Sequence, residues 1–305
     1  MYQYYRGYSP SYGPRTPQPP KKKKSRRRLV LAGLFVSAFV VTVVFKTLSP
    51  APDSKVHGAA LVKTAAHAPI PSVNQTALAA QVNQAINDNP GLEIGVSIID
   101  TTSNQRYDYG LGNTQYIAAS TTKLLSASLF LHDVEAGQAS LNQSLGGATA
   151  QAEMQRMIVI SDDAAWEEFN DLLGHPALEQ YAHSLGMNSY DPDDNQITPD
   201  DLSLLLAQLY QGKLLNHQHT QLLLSYMAQA DYKQYIGGVI PSGVKFYHKI
   251  GFLQDRFMDA AIIDNGKRPY VLVIFTKDPS GTYNQTVGLQ AFHEITTATL
   301  NVFGQ

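Results

Sequence analysis

Cysteine is absent from all 305 residues. Its absence excludes disulfides, thiolate metal sites, a cysteine nucleophile and a lipidated cysteine anchor. Positive charge is scarce across residues 76–305, which hold eleven Lys/Arg against 24 Asp/Glu. Nucleic-acid affinity comes from Lys and Arg neutralising phosphates, so no nucleic-acid partner is expected for this acidic stretch. Charge of either sign is missing from Leu29 to Phe45, a run of 17 residues. What remains, 44% apolar and 16% charged overall, is enough for one sizeable soluble domain with appendages.

The positive charge that the domain lacks is gathered at the start, where residues 1–28 hold nine Lys/Arg and no acid. Tyr2, Tyr4, Tyr5, Tyr8 and Tyr12 stand there among Pro and Gly, with no aliphatic residue before position 21 to seed a core. The expectation for 1–28 is a disordered, basic cytoplasmic tail. Seven of the eight residues from Lys21 to Arg28 are basic and lead directly into Leu29. Basic residues before an apolar span are retained in the cytoplasm, so 29–45 is expected to be a transmembrane helix running from inside to outside. A cleaved signal peptide is the alternative. The long basic leader, and the lack of a small-x-small site around Leu48-Ser49-Pro50-Ala51, favour an uncleaved anchor. Residues 46–75, with Pro50, Pro52, Pro69 and Pro71, read as an extended linker. The expected protein is a single-pass membrane protein whose domain, residues 76–305, lies outside the cell membrane.

Within that domain Leu78, Val82 and Ile86 recur at helical spacing until Asn89-Pro90-Gly91 stops them. Leu92, Ile94, Val96 and Ile98 then alternate as in a strand, and Thr102-Ser103-Asn104 turns into a second strand around Arg106 to Tyr109. From Ser120 to about Tyr235 the pattern is mostly helical. Val244 to Lys249, Met258 to Ile263 and Tyr270 to Thr276 read as three strands, and Leu289, Phe292, Ile295 and Val302 mark a closing helix. The fold class expected is α+β: an antiparallel five-stranded sheet built from both ends of the domain, flanked by helices, with a mostly helical insertion.

The chemistry centres on Ala119-Ser120-Thr121-Thr122-Lys123. A lysine three residues after a serine at a helix start lies on the same face. A partly buried amine there can take the serine's proton, which a weak nucleophile needs. Ser120 also reads as a plain N-cap. Ser161-Asp162-Asp163 offers a second hydroxyl to pass a proton to a leaving group. Lys249-Ile250-Gly251, at a strand end, offers a second ammonium and a glycine where substrate backbone can approach.

These three segments resemble, in order and context, the Ser-x-x-Lys, Ser-Asp-Asn and Lys-Thr-Gly motifs of the penicillin-recognising serine hydrolases, most closely the class A β-lactamases. Val134-Glu135-Ala136-Gly137-Gln138, Ile197-Thr198-Pro199-Asp200-Asp201-Leu202 and Pro241 to Lys249 extend the likeness over the whole of 76–305. The resemblance implies a β-lactamase/transpeptidase-like fold and acyl-enzyme hydrolysis of a β-lactam, without a cofactor or metal. Ser120 would be the nucleophile, Lys123 the base and Ser161 the proton relay, with Lys249 beside it. The backbone N–H groups of Ser120 and Phe252 would form the oxyanion hole. Asp163, Ile250 and Gly251 would line the substrate. Asp191-Pro192-Asp193-Asp194-Asn195 echoes the family's Glu-Pro-Glu-x-Asn, so Asp191 is the candidate to activate the deacylating water. An ordinary turn is the stronger reading of that segment.

The pattern is broken at two motif positions. Asp163 stands where the family has asparagine, and a carboxylate cannot donate to a substrate carbonyl, though it can pair with Lys123. Ile250 stands where the family has a hydroxyl. No arginine follows Arg268 to supply the family's extra cation. Two other readings therefore accompany the β-lactamase one: a D,D-peptidase-like penicillin-binding protein acting on cell-wall peptides, and a non-catalytic binding module. His217-Gln218-His219 reads as a surface loop rather than a metal site. His248 reads equally as a group that tunes Lys249 and as a structural histidine. Trp166 and Phe169 are expected in the helical core.

Overall fold

A computed structural model describes residues 72–304. The expected tail, the span 29–45 and the linker up to residue 71 lie outside the described residues, among which no helix is long and apolar enough to cross a membrane.

Asn74 accepts from Ala77 N and caps helix α1 (Gln75–Asn87), which buries Leu78, Val82 and Ala85. Strands β1 (Glu93–Asp100) and β2 (Arg106–Gly110) form a hairpin, and the short strand β3 (Tyr116–Ile117) leads into a 3₁₀ turn, Ala119–Thr122. The insertion follows: α2 (Lys123–Glu135), a small ladder β4 (Ser144–Leu145) and β5 (Ala148–Thr149), then α3 (Ala150–Val159), α4 (Asp163–Leu173) and α5 (His175–Ser184). Strand β6 (Gln196–Ile197) pairs back on β3, and α6 (Pro199–Tyr210) and α7 (His217–Gln229) complete the block. Strands β7 (Lys245–Leu253), β8 (Arg256–Asp264) and β9 (Tyr270–Lys277) precede the closing helix α8 (Gln285–Phe303).

The main sheet has the order β2-β1-β9-β8-β7, antiparallel throughout. Strand β9 sits at its centre, and its residues divide by parity. Val271, Val273 and Phe275 join the core under the helical block, while Leu272 and Ile274 join the core under α1 and α8. A strand covered on both faces has no polar side, hence its unbroken apolar run. Each such side chain contributes about 1.5–3 kcal/mol of burial.

Strands β7 and β8 are longer than their sequence patterns. Phe252 pairs with Phe257 and Leu253 with Arg256, so the hairpin continues past Lys249 to a two-residue turn. His217-Gln218-His219 is not a loop: Asn216 caps α7 by accepting from His219 N, and His219 is buried against Glu135 at 2.8 Å.

Helix α6 begins on an unusual group. Asp200 is 5% exposed, and the carboxyl of Asp108 stands close enough to act on it. Burial, then Asp108, push Asp200 up to about 7; Arg106, which reaches both carboxyls at 3.1 and 3.3 Å, opposes the rise. A carboxyl raised above its unfolded value of about 4 favours the folded state at low pH, and that advantage is lost as pH climbs through the folded value. We predict that the melting temperature of Asp200→Asn gains on wild type as pH rises from about 4.5 to 7.5. Parallel melting curves over that range would contradict it.

Candidate active site

The 3₁₀ turn places Ser120, the candidate nucleophile. With three residues per turn, positions i and i+3 eclipse, so Ser120 and Lys123 stand along one edge. Ala119 enters this turn at φ +48°, a left-handed conformation costing about 1–2 kcal/mol for a residue with a Cβ. Asn195 holds it there. Its Nδ2 donates to Ala119 O at 2.9 Å, its Oδ1 accepts from Thr122 Oγ1 at 2.6 Å, and its backbone O accepts from Ala118 N at 2.8 Å. Thr122, not Ser120, occupies the N-cap position of α2, which leaves the half-buried Ser120 hydroxyl for chemistry.

Lys123 is fully buried and reaches across to the second motif. Its Nζ donates to Ser161 O at 2.7 Å and to Asp163 Oδ1 at 2.5 Å. The ammonium also lies 5.4 Å from the centre of the Trp166 ring, whose Nε1 donates to Ser126 Oγ at 3.0 Å. Trp166 therefore borders the site rather than only filling the core, whereas Phe169 is buried as expected. Burial lowers the proton affinity of Lys123, and the Asp163 carboxylate opposes that shift. A neutral amine has two N–H bonds, one for each acceptor, and keeps a lone pair for the Ser120 proton.

Ser161 links both lysines. At φ +62° its carbonyl meets Lys123 while its Oγ accepts from Lys249 Nζ at 2.7 Å. The segment is braced from below: Arg156 joins Glu153 at 2.8 Å to Asp162 at 2.5 Å, and Asp162 caps α4 by accepting from Ala165 N. Lys249, 1% exposed, is lowered to about 7 by burial first and then by the nearby Lys123 charge, against Asp259, Asp163 and Asp231. His248 is fully buried, with Nδ1 3.0 Å from Asp259 Oδ1 and Nε2 3.3 Å from Ala230 O. It ties β7 to β8 and to the end of α7.

Gly251 brings strand and nucleophile together. A Cβ there would lie 2.7 Å from Ala118 O and 3.0 Å from Ser120 N, so only glycine permits this approach. Phe252 follows it, with its side chain half exposed. Ile250 is 2% exposed and packs in the core under α1 and α8, opposite Asp259. Its side chain thus belongs to the core. Asp191 closes its own turn: its Oδ1 accepts from Asp193 N at 2.9 Å and Asp194 N at 3.2 Å, and its backbone pairs with Gln196 in both directions. Among the described residues no cluster of His, Cys, Asp or Glu could hold a metal ion.

A model described as the beta-lactamase enzyme family matches residues 77–303. Among solved structures, the chain is similar to the β-lactamase from Sphaerobacter thermophilus DSM 20745, with 24% identity and a TM-score of 0.67 over 76% of this chain and 98% of that one. It is similar to PBP-A, with 23% identity and a TM-score of 0.68 over 75% and 96% of the two chains. A PBP-A mutant solved as an acyl-enzyme complex with penicillin G matches with 23% identity and a TM-score of 0.65 over 74% and 97%. At these identities the likeness carries the fold. No curated protein sequence matches the chain.

The approach of Gly251 to Ser120 generates a direct test. Gly251→Ala should displace β7 from the nucleophile and slow acylation of Ser120 by about 10²-fold, the scale of a displacement of roughly 1 Å. The fold should survive, because the clash is confined to a strand on the edge of the sheet. An acylation rate within threefold of wild type, measured by intact mass against time, would contradict the close approach.

Proposed function

Because the chain belongs to the beta-lactamase enzyme family, we propose that it is a serine hydrolase that forms an acyl-enzyme at Ser120 with β-lactams and related amides. The observation that carries this reading is the chain from Lys249 through Ser161 to Lys123, closed by Gly251 against the Ser120 amide. Ser120 Oγ attacks the carbonyl carbon as its proton passes to Lys123. The oxyanion is met by the N–H groups of Ser120 and Phe252. As the C–N bond breaks, the leaving nitrogen takes a proton from Ser161, which Lys249 replaces. Asp163 positions Lys123 and borders the substrate. Membrane anchoring through 29–45, with the domain outside the cell membrane, is part of the same proposal.

Release of the acyl group is slow in this reading. Asp191, the candidate base, already spends one carboxylate oxygen on two turn amides. That observation favours a penicillin-binding, D,D-peptidase-like behaviour on cell-wall peptides over rapid β-lactam turnover. The 305-residue chain incubated with penicillin G should gain one covalent adduct that persists for minutes or longer and is absent in Ser120→Ala. Rapid turnover without a lasting adduct would contradict slow release, and neither adduct nor turnover would favour a non-catalytic module.

A further inference from the structure

Three of the large apolar side chains left exposed on the domain are grouped about the second and third motifs. Ile160 is 56% exposed and directly precedes Ser161; Phe252 is 51% exposed and directly follows Gly251. Tyr232 is 44% exposed, and its ring lies 5.9 Å from that of Phe252. The segment carrying Tyr232 is tied to the end of α3 by Asp231 N donating to Val159 O at 3.1 Å. The ring pair and this backbone tie therefore bring three separate parts of the chain together beside the site. Tyr232 also holds a left-handed backbone, φ +65°, which disfavours any residue with a Cβ. Strain of this kind persists where the surroundings impose it and gathers at ligand clamps. A grouped apolar surface of this kind marks a place where a ligand or partner sits.

Charge at the mouth points the same way. The side chain of Asp163 is 75% exposed, Asp231 is exposed, and both act on Lys249. The cations have partners: Lys123 has Ser161 O and Asp163, Lys249 has Ser161 Oγ, the exposed Lys233 beside Tyr232 has Ala228 O at 2.7 Å, and Arg256 of the neighbouring strand has both oxygens of Asp255 at 2.7 Å. Ile250, buried in the core, presents no hydroxyl to a carboxylate. An incoming carboxylate meets acids first, and like charges at a recognition surface act against the wrong partner.

We propose that Ile160, Tyr232 and Phe252 form a wall that seats an aromatic or large apolar group, and that among donors able to acylate Ser120 the site takes uncharged ones faster than carboxylate-bearing ones, penicillin G included. This inference rests on acyl-enzyme formation at Ser120. The acyl donor is an ester or amide: Ser120 Oγ bonds to its carbonyl carbon, the alcohol or amine leaves with the Ser120 proton, and water later cleaves the new ester.

The test uses aryl esters of N-phenylacetylglycine in which the leaving group is 3-carboxyphenol or 3-(methoxycarbonyl)phenol, together with the N-acetylglycine ester of the latter. Phenol release and intact mass are followed on the 305-residue chain. We expect kcat/KM at least tenfold higher for the uncharged leaving group, and at least tenfold higher for phenylacetyl than for acetyl. Tyr232→Gly, which suits the left-handed backbone, should keep or raise the melting temperature while cutting the phenylacetyl preference at least threefold. Phe252→Ala should cut it likewise, and Asp231→Asn should narrow the discrimination against the carboxylate. Equal or better reaction of the carboxylated ester would overturn the charge preference, and an unchanged acyl preference in Tyr232→Gly would overturn the wall, either one leaving Ser120 acylation intact. A large loss of melting temperature in Tyr232→Gly would mark the ring as structural and equally overturn it. No Ser120 adduct from any ester or from penicillin G would remove the acyl-enzyme reading, and the wall with it.

Discussion

Two buried lysines within one site are the constraint on which the rest of the structure depends. Lys123 and Lys249 each lose water on burial, and the charge of Lys123 further disfavours that of Lys249. Ser161 relieves this by giving its carbonyl to one and its hydroxyl to the other. It does so only in a left-handed backbone, which in turn needs the Arg156 brace between Glu153 and Asp162 and the capped start of α4. Asp163 then supplies the negative charge that Lys123 would otherwise lack. The strained Ala119 turn and the Gly251 approach bring the nucleophile to this pair from opposite sides. The site is thus an arrangement of strained backbone held by surrounding hydrogen bonds, with the core of the insertion behind it.

Much of the fold was legible because periodicity reports burial. The alternation in β1 and the unbroken run in β9 both follow from which faces are covered, and the five-stranded antiparallel sheet from both ends of the domain follows from them. The ends of β7 and β8 were not legible, because Leu253 and Arg256 pair across a two-residue turn and no change of period marks it. The start of α7 reads as a surface loop in the sequence: the Asn216 cap on His219 N is local and carries no distinctive pattern, while the Glu135 contacts that bury the segment come from 81 residues away or more.

The same division holds at the site. Ser120, Lys123, Ser161, Lys249 and Gly251 could be named because they sit in short segments with ordered spacing. The partners that make them work come from elsewhere. Asn195 clamps the nucleophile turn from 76 residues away, Trp166 borders Lys123, and Asp108 meets Asp200 between β2 and α6. Asp191 illustrates the opposite case: its position in a motif-like segment suggested a base, while its hydrogen bonds are those of an ordinary Asx turn. Ile250 has a simpler explanation, since parity along β7 turns it into the core.

Burial leaves a site lysine able to exchange its proton at neutral pH, so that a lysine serves as base while His248 is tied to Asp259 and Ala230 O. The most direct measurement is an NMR titration of the lysine side chains of the native protein, with Lys123→Met and Lys249→Met used for assignment. Both should titrate below the ordinary lysine range, Lys249 at about 7. If both instead titrate with the exposed lysines, the site does not hold the base that the account requires.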